Sequence, residues 1–217
     1  MREIVLDIKK RLRLSMNGAV SSNMRTRGMD YRVNFGVSIP TLRAIASNYT
    51  PSAELAWLLM GENSRECKLL AIFLYPVNEC TQQTIDRFIQ ESTTNEMVDL
   101  WVQRFIDFIP SPCRLIQNLL AEDNTEHIYT GIQLLTRIAG KQIVESELNA
   151  LIPSLLSVLT REKSAYLSGA LFNCLEKCLS TFPSLSESVN VETNKLTIAA
   201  HLREEIQSIT GYFTLLK

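Results

Sequence analysis

Eight basic side chains stand between residues 9 and 43: Lys9, Lys10, Arg11, Arg13, Arg25, Arg27, Arg32 and Arg43. Residues 1–45 hold nine basic and three acidic groups, whereas the rest of the 217-residue chain holds thirteen and twenty. The formal charge of −1 is therefore the sum of +6 and −7. A basic segment of this kind can neutralise phosphates. It also has a plainer reading, a solvated helix face followed by an exposed loop. Farther on, Asp99 is a carboxylate near a helix start, with Asn95 four residues before it and Trp101 two beyond. The helix dipole alone favours an acid there. Arg65, Glu66 and Lys68 crowd another helix start, where a local salt-bridge cluster accounts for them equally well.

Other chemistry is excluded by residue type and spacing. His127 and His201 are isolated, and the five cysteines form no C-x-x-C pair. Cys174 and Cys178 share a helix face but have no histidine nearby in sequence. No metal, no cofactor and no disulfide framework is expected, which leaves reduced cysteines of a cytoplasmic protein. The longest apolar runs, 55–60 and 69–75, fall far short of the roughly 18–20 residues of a membrane helix. Lys9, Lys10, Arg11 and Arg13 interrupt any secretory apolar region, and Glu3 and Asp7 argue against a transit peptide.

The elements that must position these residues are helical almost throughout. Ile4, Ile8, Leu12 and Met16 form a stripe over 2–17, with Gly18 placed to end that helix. Residues 21–30 are polar and read as a linker. Ser38 caps a helix with Pro40 in its first turn, and Thr50 with Pro51 repeats the arrangement before Leu55. Ser64 opens 65–75, and 81–91 follows. Thr93 and Glu96 have capping-box spacing ahead of Val98, Trp101 and Phe105. Helices are expected over 112–122, 125–139, 145–159 and 163–179. A last one is expected over about 194–209, after a polar 184–191. Trp57, Trp101, Phe73, Phe105 and Phe172 lie among aliphatic residues at helical spacing and read mostly as core.

Ten or eleven short helices result, with small or aliphatic centres recurring at about 30–38 residues, close to two-helix repeat periods. Periodicity alone does not separate a solenoid from a compact bundle. Regularly spaced caps favour the solenoid, whose inner helices would line a concave face.

The segment 31–46, with Phe35, Gly36, Val37, Pro40 and Arg43 in series, resembles the start of the AlkD family of DNA alkylation repair proteins. Residues 54–59 are similar to the next family segment. Arg65-Glu66-Cys67-Lys68 running into Leu70 and Ala71 looks like the family's Arg-Glu-x-Lys helix. Met97-Val98-Asp99 fits a fourth position, and the likeness covers roughly residues 30–180.

This resemblance implies an all-α fold, a right-handed α-solenoid of HEAT-like antiparallel helix pairs with a concave inner face. It implies one domain over 1–217: a basic helix and loop at 1–30, repeats over 31–182 and a capping helix over 183–217. It further implies binding of alkylated double-stranded DNA and excision of cationic N3- or N7-alkylpurines without metal or cofactor. Asp99 takes the catalytic carboxylate position. Asn95 stands where the family has an aromatic residue and Asn173 at or near a second one, so Asn95, Asn173 and Trp101 are the substrate-lining candidates. Lys9, Lys10, Arg25, Arg27, Arg32, Arg43, Arg65 and Lys68 are the candidates for the DNA backbone. The alternative is a non-catalytic HEAT-repeat scaffold whose groove holds a protein partner or unmodified nucleic acid.

Overall fold

The computed structural model describes residues 1–29, 31–161 and 164–215. Asp30, at the end of the expected linker, and Lys163, at the expected start of a helix, lie outside the described residues. The described residues form thirteen α-helices and three short 3-10 turns, and they divide into two compact units, Met1–Phe108 and Ile109–Lys217.

The first unit contains α1 (Arg2–Leu14), α2 (Gly18–Thr26), α3 (Ile39–Ala46), α4 (Ala53–Met60), α5 (Arg65–Leu74), α6 (Gln82–Glu91) and α7 (Asn95–Phe105). Its helices start where side chains can satisfy the first backbone N–H groups. Ser38 Oγ accepts from Thr41 N at 3.3 Å, and Pro40 sits in the first turn of α3, where no N–H is needed. Thr81 and Thr84 close a reciprocal box at the start of α6. Helix α5 is buried over nearly its whole length, with α4 against it and α3 and α7 alongside. Trp57, Tyr75, Phe88, Trp101 and Phe105 fill the space among α4, α6 and α7, with ring centroids 5.0 to 6.3 Å apart.

Four local expectations are corrected in this unit. Gly18 does not end α1, which stops at Leu14; it opens α2, capped by Asn17 through Val20 N at 3.1 Å. Most of the expected linker is therefore helix. It carries no apolar stripe because Ser21 is its one buried residue, held by a hydroxyl bond to Asn34 O at 2.8 Å. Ser52, not Thr50, caps α4. Thr94, not Thr93, caps α7, and Glu96 is drawn away from any capping box by Arg65.

The second unit contains α8 (Pro112–Ala121), α9 (Thr125–Ile138), α10 (Glu145–Arg161), α11 (Ala165–Thr181), α12 (Ser186–Lys195) and α13 (Ala200–Thr214). Helices α8, α10 and α12 pack in one row, and α9, α11 and α13 in a second row against them. Gly131 lets α9 approach α8, because a Cβ there would lie 3.2 Å from Leu119 and Leu120 side-chain atoms. The single tail helix expected over 194–209 is instead two. Residues 184–191 fall largely in α12, whose buried contacts are Ser186, Val189 and Thr193. Among the described residues no helix is long and apolar enough to cross a membrane.

Candidate functional site

Between α2 and α3 the chain runs without helix from Tyr31 to Ser38, and a buried charge network pins this segment. Glu66, fully buried, accepts from Phe35 N at 3.1 Å, Val37 N at 3.3 Å and Ser64 Oγ at 3.2 Å. Arg65, 1% exposed, donates from Nη1 to Val37 O at 2.9 Å and to Glu66 Oε1 at 3.1 Å. Its Nε donates to Glu96 Oε2 at 2.8 Å and its Nη2 to Glu96 Oε1, a two-pronged grip that reaches α7. Tyr31 joins the same helix through a 2.5 Å bond between its hydroxyl and that of Thr94. Burial pushes the Tyr31 hydroxyl up to about 12. Gly36 occupies φ +70°, and a Cβ there would stand 2.2 Å from Asn17 O; only glycine fits. The network thus ties the start of α7, the helix that carries Asp99, to this segment.

Asn95 and Asp99 lie one turn apart on α7, and both are half-buried. Trp101 belongs to the opposite face. It is fully buried, donates from Nε1 to Ser92 Oγ at 3.0 Å and stacks on Phe88. That excludes it as a substrate-lining residue, since no surface of the ring reaches solvent. Asn173 lies in the second unit, exposed at a cleft of about 680 Å³ lined also by Glu176, Lys177, Glu205 and Tyr212.

The basic candidates divide into three groups. Arg65 is removed from the phosphate-binding set, because its guanidinium is buried and occupied by two carboxylates and a carbonyl. Lys68 is half-buried and donates to Met60 O at 3.0 Å, closing the end of α4. Lys9 pairs with Glu62 at 2.6 Å. Lys10, Arg25, Arg27 and Arg32 are exposed, and Arg43 is exposed with its guanidinium carbon 4.9 Å from the centroid of Phe73.

Two features were not anticipated from sequence. In the second unit Tyr129 on α9 and Tyr166 on α11 pair at 5.1 Å between ring centroids, with Tyr166 exposed. Their similar positions in successive repeats were the available signal. In the first unit Arg104, in the last turn of α7, donates to Tyr75 O at 3.2 Å. Nothing in its sequence surroundings marks it.

Solved structures that share this fold include two related to DNA repair by their descriptions. One, from a family of proteins related to the HEAT-like repeat DNA glycosylases with affinity for branched DNA structures, matches with a TM-score of 0.73 at 14% identity, over 95% of this chain and 93% of that chain. The other, a predicted DNA alkylation repair enzyme from Enterococcus faecalis, matches with a TM-score of 0.65 at 14% identity, over 89% and 95%. No protein-family model and no curated protein matches the sequence. At this identity the likeness establishes the fold: all-α, built of HEAT-like helix pairs, the class that the sequence led one to expect.

Proposed function

We propose that this chain is a divergent DNA alkylation repair protein of the AlkD-like kind, which binds double-stranded DNA and removes cationic alkylpurines through Asp99. The observation carrying the reading is the position of Asp99: half-buried on α7, one turn from Asn95, on a helix whose start the Arg65–Glu66–Glu96 network holds in place. Fold likeness to a HEAT-like glycosylase-related protein and to a predicted alkylation repair enzyme raises the prior for this chemistry.

The reaction asks little of the protein. An N3- or N7-alkylated purine already carries positive charge, so the glycosidic electron pair leaves with the base and neutralises it. Positive charge then develops on the sugar at C1′. A carboxylate beside C1′ stabilises that charge and orients a water, whose oxygen bonds C1′ as its proton passes to the carboxylate or to solvent. Asp99 takes this role and Asn95 offers an amide hydrogen bond to sugar or phosphate. Asn173, on the second unit, is assigned a polar DNA contact of its own. With asparagine at position 95, an aromatic contact to the sugar is missing, worth about 0.5–2 kcal/mol. Turnover is therefore expected to be slow. Lys10, Arg25, Arg27, Arg32 and Arg43 supply the phosphate contacts, in a cytoplasmic protein.

A second reading is favoured by the same asparagines: a non-catalytic scaffold that holds unmodified or branched DNA, or a protein partner. Release of N7-methylguanine or N3-methyladenine from alkylated duplex, abolished by Asp99→Asn, supports the enzyme. Salt-dependent DNA binding with no release supports the scaffold, and absence of DNA binding overturns both DNA readings.

A further inference from the structure

At the C-terminal ends of α5 and α7 two arginines meet around Phe73 and the Tyr75 carbonyl. The Arg43 guanidinium carbon lies over the Phe73 ring, 4.9 Å from its centroid, a cation–π contact made through the face of the ring. Arg104 reaches the same end of α5, donating from Nη2 to Tyr75 O at 3.2 Å, two residues beyond Phe73. Its Nε is buried and has no acceptor. Among the described residues no carboxylate lies within ion-pair distance of either guanidinium. Native proteins seldom leave a buried donor unsatisfied, and one in a charged group asks for an explanation.

The two arginines also feel each other. Arg104 is held below the usual guanidinium range, first by burial and then by the charge of Arg43. Like charges kept together without an acid between them are stabilised by an anion that bridges them. Nε–H and Nη2–H of Arg104 share one edge of the planar guanidinium, the fork geometry that suits a phosphate.

We infer that Arg43 and Arg104, framed by Phe73 and the end of α5, form a phosphodiester-binding clamp. The inference rests on the DNA-binding reading and sharpens it, by adding Arg104 and by joining it to one of the basic residues named above. Arg43 is the accessible, pre-stacked half of the clamp, and Arg104 is the half drawn out of the protein by the ligand. The site takes phosphate oxygens and reads no bases.

The test uses the full chain and the arginine Nε–H resonances in 1H–15N spectra, titrated with inorganic phosphate, with acetate and with a 12-base-pair unmodified duplex. The Arg104 Nε–H signal is expected to move with phosphate and with duplex, and to stop moving in Arg43→Gln. In parallel, fluorescence anisotropy should show the slope of log affinity against log salt falling by about one in Arg43→Gln and again in Arg104→Gln, with about eight-fold weaker binding per variant at 0.1 M salt. Arg43→Gln changes an exposed side chain and keeps the comparison valid should Arg104→Gln unfold. Duplex binding with an unchanged slope in Arg43→Gln and a static Arg104 signal overturns the clamp and leaves the DNA reading standing. A signal that moves with phosphate in a protein that fails to bind duplex supports the anion site and overturns the DNA reading. Equal movement with acetate overturns the phosphate assignment in favour of an acidic protein partner.

Discussion

Replacing Glu66 with Gln tests whether the buried network holds the first unit together. Each carboxylate oxygen of Glu66 accepts two bonds: Oε1 from Val37 N and Arg65 Nη1, and Oε2 from Phe35 N and Ser64 Oγ. An amide keeps one oxygen and sets an N–H₂ against the other pair of donors. At least one buried backbone N–H then lacks an acceptor, at about 1–3 kcal/mol. Arg65, 1% exposed, also loses one of its two charged partners, and breaking a buried pair costs about 3–5 kcal/mol. Glu96 still neutralises Arg65, so the two costs do not add in full, and the expected loss is about 3–4 kcal/mol. Both tryptophans, Trp57 and Trp101, lie in the first unit, so their fluorescence reports its unfolding. With a urea slope of about 2 kcal/mol per molar, the midpoint should fall by about 1.5–2 M. A shift worth less than about 0.5 kcal/mol would refute the reasoning, since a solvated cluster at a helix start would behave that way.

Three further outcomes follow from the packing. Gly36→Ala puts a Cβ 2.2 Å from Asn17 O at φ +70° and should destabilise the first unit by about 2–4 kcal/mol, read by the same fluorescence. Gly131→Val drives a branched side chain into Leu119 and Leu120, and should lower stability by about 1–3 kcal/mol in circular-dichroism melts. The third concerns alkaline pH. Burial raises the Tyr31 hydroxyl from 10.0 to about 12 and the Cys67 thiol from 9.0 to about 11. The unfolded chain therefore loses these protons first. Stability should be intact below about pH 9 and decline towards pH 12, and Tyr31→Phe should flatten the decline above pH 10, as seen in urea midpoints against pH.

The parts of this fold that sequence made legible are those that a cap or an apolar stripe marks. Ser38 with Pro40 announced α3, and the stripe through Ile8 and Leu12 announced α1, because burial there follows the helical period. Helices α2 and α12 escaped notice because they bury serine, threonine and one valine, through hydroxyl bonds that local hydrophobicity cannot register. Arg65 and Glu66 show the deeper difficulty. Their spacing suits a surface salt bridge, but their partners are the N–H groups of residues 35 and 37 and a carboxylate on another helix. The motif that resembled the alkylation repair family is thus partly a clasp for the backbone, and Arg65 had to leave the phosphate-binding set. Trp101 failed as a lining residue for a geometric reason, since two positions along a helix turn a side chain to the far face.

The central claim is that Asp99 promotes loss of cationic alkylpurines from DNA. Its most direct test is single-turnover release of N7-methylguanine from methylated duplex, with the protein in excess and Asp99→Asn measured beside it. The account predicts release above the spontaneous rate by the native chain, slow with asparagine rather than an aromatic ring at position 95, and release at the spontaneous rate by Asp99→Asn with duplex affinity retained. Release at the spontaneous rate by the native chain, or equal release by the two proteins, would contradict it.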